Sequence, residues 1–151
     1  MAVIYNLVPL YKKGITGAGQ KVVFVGESAL PLDDLRGFRD AAGLPPNEPK
    51  SILAAGSEGP GLNDAVVEAI LDVDYVGGAA PAATIVYVYH TDVIQAALYA
   101  IDQNFAPVIS HSWGGCEKFN LNAGAFLRSM AQQAVAEGIT WVASTGDSGA
   151  A

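Results

Sequence analysis

The sequence predicts an α/β protein with a mostly parallel sheet and helices on both of its faces. Short β-branched runs alternate with segments of helical period along the 151 residues. Glycine or proline separates most of these runs. A repeated strand–helix–strand order implies right-handed crossovers between parallel strands, and such crossovers place helices over both faces of the sheet.

Each element follows from the local sequence. Strands are predicted in the short apolar runs at residues 21–25, 51–54, 84–89, 107–112 and 139–144. Helices are predicted between them, at residues 32–42, 62–76, 92–103 and 123–137. Gly43-Leu-Pro-Pro ends the first helix because proline cannot continue it. Asp92 stands at the start of the third, where it is expected to cap the helix together with His90.

Composition sets the class of protein. Hydrophobic residues make up 51% of the chain and charged residues 15%, which predicts one globular domain with a buried core. A net charge of −7 argues against nucleic acid or an anionic membrane as partner. No apolar run reaches the roughly 18 residues that cross a bilayer, and no signal peptide is evident. Cys116 is the only cysteine, so no internal disulfide can form.

A pair of acids is the strongest candidate for chemistry. Glu68 and Asp72 are four residues apart in a predicted helix and therefore share one face. Like charges at this spacing cost a helix about 0.2–0.5 kcal/mol. Asp64 adds a third acid to the same stripe, and Asp74 either lies on the helix surface or joins the cluster. The stripe is either a solvated face or a carboxylate pair that shares a proton, one member acting as general base.

Other polar segments follow the predicted strands. In sheets of this kind, sites collect at the carboxyl ends of the strands. The segments there are Gly26-Glu27-Ser28, His90-Thr91-Asp92, Ser112-Trp113-Gly114-Gly115 and Thr145-Gly-Asp-Ser-Gly149. His111, inside a buried strand, is expected to be a hydrogen-bonded core histidine.

Several of these segments resemble the sedolisins, the serine-carboxyl peptidases with a subtilisin-like fold, and the kumamolisin branch in particular. Residues 68–85 resemble the catalytic helix and the following strand of that family. Residues 108–115 resemble its substrate-binding strand, and residues 143–149 its oxyanion segment. Tyr5-Asn-Leu and Thr16-Gly-Ala-Gly-Gln before the first strand are also typical. The resemblance covers almost the whole chain and implies that residues 1–151 are the N-terminal part of a sedolisin-like catalytic domain.

The resemblance implies a role for each acid. Glu68 matches the general base that takes the proton from a serine nucleophile, and Asp72 matches the partner that orients it. Asp147 matches the acid that donates a hydrogen bond to the oxyanion. Because a carboxyl group donates a hydrogen bond only while it is neutral, the resemblance implies activity at acid pH.

The resemblance also implies supporting residues. Trp113 and Glu27 resemble residues that extend the hydrogen-bond chain behind the acid pair, although Glu27 fits only after a one-residue shift at the strand end. The segment from Ser112 through Trp113 and Gly114 to Gly115 would bind a peptide or protein substrate by strand addition.

The nucleophile of the family is missing from this sequence. In the family it lies in a Gly-Thr-Ser segment far beyond the oxyanion acid, and no Gly-Thr-Ser occurs here. The calcium site of the family lies in that same C-terminal part, so no cofactor or metal ligand is assigned to this chain. The chain is expected to be inactive without its C-terminal part, and the resemblance implies an extracellular protein. A truncated piece, one chain of a nicked enzyme and a degenerate relative all remain open.

The sequence also contains a second protease-like motif. Gly146-Asp-Ser-Gly149 resembles the nucleophile segment of chymotrypsin-like proteases, with Ser148 as nucleophile. Those proteases are all-β and need a histidine in an Ala-His-Cys setting, which this chain lacks. A non-catalytic α/β pseudo-enzyme or a small-ligand-binding domain stays open, although no glycine-rich phosphate loop follows the first strand. A partial domain would also leave its sheet without partners, so exposed apolar surface and self-association are expected.

Overall fold

The computed structural model describes residues 1–115 and 123–149, and Cys116 lies outside them. The described residues form a five-stranded sheet in the order β2-β3-β1-β4-β5, and every pairing in it is parallel. The strands are β1 (Lys21–Gly26), β2 (Lys50–Leu53), β3 (Thr84–Tyr89), β4 (Val108–His111) and β5 (Thr140–Ala143). The predicted parallel α/β sheet is confirmed, and β1 lies at its centre.

Helices cover both faces of this sheet, as predicted. They are α1 (Val8–Tyr11), α2 (Leu32–Ala41), α3 (Val66–Ala79), α4 (Val93–Asp102) and α5 (Ala123–Ala136). Helices α2 and α3 pack on one face, and α4 and α5 pack on the other. The single turn α1 was not predicted, because four residues are too few to show a helical period. No helix in residues 1–115 and 123–149 has the length and apolarity needed to cross a membrane.

The α4/α5 face is almost entirely apolar. Alternate strand residues point to it, so Val23, Val25 and Ile109 meet the alanines of α4. The alanines at 96, 97 and 100 are fully buried. Because they are small, they let the helix approach the sheet closely.

The α2/α3 face buries more polar groups. Phe24, Ile85 and Tyr87 point to it, and the Tyr87 hydroxyl donates a hydrogen bond to the Ser28 carbonyl at 2.9 Å. A Cβ at Gly26 would overlap that hydroxyl, so only glycine fits there. The carboxyl end of β1 is therefore shaped around a buried tyrosine.

Helix α3 begins later than predicted. The Asn63 side-chain carbonyl accepts a hydrogen bond from the Ala65 amide at 2.9 Å, which makes a turn before the helix. Asp64 lies in that turn, so it does not share the helical stripe of Glu68 and Asp72. The prediction of a third acid on the stripe was wrong for this reason.

A buried arginine ties α2 to the far end of α3. The Arg39 guanidinium donates to the carbonyls of Pro45 and Pro81 at 2.7 and 3.0 Å, and it also reaches that of Gly77. These carbonyls satisfy a charged group that is 7% exposed. The anchor fixes α3 along the sheet and with it the acids that α3 carries.

Candidate functional site

Helix α3 holds the acid pair at the border between core and solvent. Ala69 and Val73 are buried against β1 and β3, and they anchor the inner side of the helix. Glu68 and Asp72 each lie next to this stripe and are half-buried. The helical spacing that predicted one shared face is therefore realised.

Asp72 is held by the residue that follows β4. The Ser112 hydroxyl donates a hydrogen bond to Asp72 Oδ1 at 2.6 Å. Burial raises the pKa of Asp72 to about 6, the Ser112 hydrogen bond opposes that rise, and the charge of Glu68 adds to it. Asp72 is thus a carboxyl group that takes up a proton under mildly acidic conditions.

The interaction between Glu68 and Asp72 is coulombic in this structure. The charge of Glu68 contributes to the raised pKa of Asp72. Among the described residues, no hydrogen bond joins the two carboxyl groups. The shared hydrogen bond that the resemblance implies stays a prediction.

Glu27 is bound to the start of α4. Its Oε1 accepts a hydrogen bond from the Val93 amide at 2.9 Å, and its backbone carbonyl accepts one from the Asn63 side chain at 2.7 Å. The Asp92 side chain caps the same helix by accepting from the Ile94 amide at 2.8 Å, as predicted. Glu27 makes no hydrogen bond to the acid pair among the described residues, so its supporting role stays a prediction.

An open groove of about 650 Å³ lies at the carboxyl end of β1. It brings together Glu27 and Trp113, the two supporting residues that the resemblance implies. Trp113 is half-buried against the α4/α5 core. The rest of the lining comes from Pro60, Asn63, Asp64, Ala65 and Thr91. Glu68 and Asp72 lie outside this lining, so the structure groups the predicted site residues into two neighbouring sets joined by Ser112 and Trp113.

The remaining predicted residues are exposed. Gly114 and Gly115 follow Trp113 with their backbone open to solvent. Asp147 is exposed beyond β5, in a segment that begins where the Ser144 amide donates to the His111 carbonyl at 3.1 Å. This segment continues from the strand next to β4, so Asp147 and Ser112 follow adjacent strands of the sheet.

The sequence analysis missed one polar contact and left the place of Asp74 open. The side chain of Ser112 was not given a role, because its contact with Asp72 depends on where α3 lies relative to β4. Asp74 lies near Arg39 and Asp34 of α2, whose charges act on it. Burial raises its pKa to about 6, Arg39 opposes the rise and Asp34 adds to it. Asp74 therefore belongs to the α2–α3 contact and not to the acid pair.

His111 is buried, as predicted, with 6% of its surface exposed, but the hydrogen bond predicted for it is absent at Nε2 among the described residues. Its ring stacks on Trp141 of β5 at a centroid distance of 5.7 Å. Burial lowers its pKa, and its Nε2 atom has no hydrogen-bond partner among the described residues. No group of three or more His, Cys, Asp or Glu side chains in residues 1–115 and 123–149 could hold a metal ion.

The parallel sheet and the acid-bearing helix define an α/β domain of the subtilisin-like class. A solved structure with this fold is Pseudomonas sedolisin, a serine-carboxyl proteinase in complex with two molecules of pseudo-iodotyrostatin. It is 28% identical to this chain with a TM-score of 0.76, and the match covers 89% of this chain and 40% of the sedolisin chain. No protein-family model matches the sequence, and no curated protein matches it. This likeness supports a relationship to the sedolisin family, and the chain spans well under half the length of that sedolisin chain.

Proposed function

We propose that this chain is the part of a serine-carboxyl peptidase that supplies the general base and the oxyanion acid for peptide-bond hydrolysis. The observation that carries the proposal is the state of Asp72, a half-buried carboxyl group held by Ser112 and coupled to the charge of Glu68. Neighbouring carboxyl groups with environments that favour different protonation states are typical of acid–base sites. The relationship to Pseudomonas sedolisin adds the reaction class.

The two acids of α3 have complementary tasks in this proposal. Below the Asp72 pKa of about 6, Asp72 is neutral and can donate a hydrogen bond. That hydrogen bond orients the carboxylate of Glu68, which then takes the proton from a serine hydroxyl. The serine comes from the part of the domain that lies outside this chain.

The exposed residues complete the proposed site. A neutral Asp147 donates a hydrogen bond to the oxyanion, and this requirement limits activity to acid pH. The open backbone of Gly114 and Gly115 pairs with an extended peptide substrate. The proposed partners are therefore a peptide or protein and the remaining part of the domain, in a secreted protein. Calcium, which the family resemblance implies, would bind in that remaining part.

The test is peptide hydrolysis between about pH 3 and about pH 7 by the protein as its source produces it. Glu68→Gln keeps the shape of the side chain but removes the base. Loss of a general base costs about 10²- to 10⁴-fold in rate, so activity should fall by that factor. Asp40→Asn, an exposed acid on α2, is the matched control and should leave the rate unchanged.

Two outcomes contradict the proposal. Hydrolysis that survives Glu68→Gln would show that Glu68 is not the base, and loss of activity in Ser148→Ala would then favour the rival nucleophile. Absence of hydrolysis at every pH would favour a pseudo-enzyme.

The open groove favours a second candidate, a peptide-binding domain without catalysis. Glu27 and Trp113 line it beside the exposed backbone of Gly114. In that event, adding an extended peptide should shift the amide resonances of Gly114 and Gly115 while the peptide stays intact.

A further inference from the structure

We propose that the Ser112 side chain is a positioning residue for the acid pair of Glu68 and Asp72. This inference rests on the proposed function. The Ser112 hydroxyl donates to Asp72 Oδ1, which assigns the proton of neutral Asp72 to Oδ2, with Glu68 as the acceptor. The sequence analysis gave Ser112 only a backbone role, in binding substrate.

The contact itself is short and joins distant parts of the chain. The distance of 2.6 Å between Ser112 Oγ and Asp72 Oδ1 is typical of a hydroxyl that donates to a carboxylate. The two residues are 40 positions apart, one at the end of β4 and the other in the second turn of α3. Both are half-buried, so water competes only partly for the hydrogen bond.

The chemistry of a carboxyl group fixes where the proton goes. A neutral carboxyl group has one O–H donor and one carbonyl acceptor. As long as the Ser112 hydroxyl donates to Oδ1, as it does in this structure, that oxygen serves as the carbonyl acceptor. With Oδ1 taken in this way, the proton lies on Oδ2. Glu68, one turn earlier on the same face, is the carboxylate whose charge acts on Asp72, and we assign it as the acceptor of this proton.

Few other groups act on Asp72. Glu68 does so from α3 itself. Tyr87 of β3 is also near: burial is the main cause that raises the pKa of Tyr87, and the charge of Asp72 adds to the rise. Arg39 and Asp34, from α2, act on Asp74 instead. Within the described residues, Ser112 is the one side chain that donates a hydrogen bond to Asp72.

Ser112 lies between the acid pair and the segment proposed to bind substrate. Ser112 opens the segment through Gly115 whose backbone is proposed to pair with substrate. A peptide that orders this segment would also hold the Ser112 hydroxyl in place. Substrate binding and the orientation of the acid pair are therefore linked through one side chain.

The experiment follows the carboxyl carbon of Asp72 by NMR as the pH of the 151-residue chain is lowered. In the unmodified chain, the Ser112 Cβ resonance should shift with the same midpoint as Asp72 Cγ, which needs no variant to fold. Ser112→Ala removes a donor that favours the charged carboxylate, so the midpoint of Asp72 should rise by on the order of one pH unit. Ser112→Thr keeps the hydroxyl and should restore it.

Ser110→Ala is the matched control. It removes a hydroxyl two residues earlier on the same strand, and Ser110 makes no side-chain hydrogen bond among the described residues. An Asp72 midpoint that does not change in Ser112→Ala, or that changes equally in Ser110→Ala, would overturn the inference. A Ser112 Cβ chemical shift that does not change as Asp72 titrates would also overturn it.

The pH profile of hydrolysis separates this inference from the proposed function. If Ser112 positions Asp72, Ser112→Ala moves the alkaline limb of the profile upward in pH, together with the Asp72 midpoint. If Glu68→Gln abolishes hydrolysis but the Asp72 midpoint is unchanged in Ser112→Ala, only the role of Ser112 is overturned. If the Asp72 midpoint changes in Ser112→Ala but hydrolysis is unchanged in Glu68→Gln, the proposed function is wrong. The Ser112 contact then has no role in catalysis.

Discussion

The two faces of the sheet bury their ionisable side chains with opposite consequences. On the α2/α3 face, burial raises the pKa of Asp72 and of Asp74 to about 6. Near the α4/α5 face, burial lowers the pKa of His111, which stacks on Trp141. Burial favours the neutral form in each residue, but a carboxyl group becomes neutral by gaining a proton and an imidazole by losing one.

The direction in which pH changes the stability follows from proton binding in the folded and unfolded states. A folded-state pKa of about 6 for Asp72, against an ordinary value of 3.8, means that only the folded state binds the proton within that range. The free energy of unfolding therefore rises as the pH falls through this window. The pKa of His111 lies below its ordinary value of 6.5, so the unfolded state binds its proton first, and stability is lost as the pH falls below that value. Acid thus strengthens one face and weakens the other, although the chain as a whole carries an excess of acids.

The largest expected effect comes from breaking the packing of the α2/α3 face. Gly26→Ala places a Cβ where the Tyr87 hydroxyl lies, so the ring must move and its hydrogen bond to Ser28 is lost. Overpacking and a lost buried hydrogen bond together predict about 3 kcal/mol of destabilisation, measured by urea denaturation. Gly37→Ala, at an open position within α2, should instead stabilise the protein by about 0.5–1 kcal/mol. Equal effects of the two changes would contradict the packing described for Gly26.

Asp72→Asn tests whether acid stabilises the α2/α3 face. Asparagine keeps an oxygen that accepts from Ser112 but cannot be charged. The change should raise the free energy of unfolding at pH 7 by on the order of 1–2 kcal/mol, after allowance for solvent screening of a half-buried group. The gain should vanish near pH 4, where Asp72 is already neutral. Thermal unfolding at both pH values measures it, and a gain that is independent of pH would count against the raised pKa.

His111→Phe tests the acid-weakened face. Phenylalanine keeps the stack on Trp141 and removes the buried imidazole. Stability in acid should increase by about 1 kcal/mol, and more than it does at neutral pH, because the unfolded variant no longer gains a proton. The measurement is the slope of unfolding free energy against pH between about pH 7 and about pH 4. A slope unchanged from that of the unmodified chain would refute the assignment to His111.

The smallest effect is expected from the surface charges of α2. Arg36 contacts Asp33 at 2.7 Å and Glu48 at 2.6 Å, and all three side chains are at least half exposed. Exposed ion pairs add little stability and are screened by salt. Arg36→Gln should therefore leave the melting temperature and its pH dependence almost unchanged. A strong change in either would mean that surface charge, and not burial, sets the contrast between the two faces.

The sequence predicted the strands and most helices because their apolar residues recur with clear periods. Boundaries were set by details with no such period, as at α3, where the Asn63 turn delays the helix and moves Asp64 off the stripe. The capping role of Asp92 was predictable because it is local. The contact of Ser112 with Asp72 was not, since it depends on how a helix and a strand far apart in the chain are placed. The contacts of Arg39 with the carbonyls of Gly77 and Pro81 were missed for the same reason.

The central position of β1 has a consequence for how the protein folds. Its partner β3 begins only after two intervening helices and β2, and its other partner β4 comes later still. The hydrogen bonds that build the site span 36 positions for Asn63 with Glu27, 40 for Asp72 with Ser112 and 66 for Glu27 with Val93. Contacts of such long range form slowly, because the entropy of loop closure is lost before they are made. We therefore expect helices to appear early in refolding and the contact of Ser112 with Asp72 to form late, with the sheet.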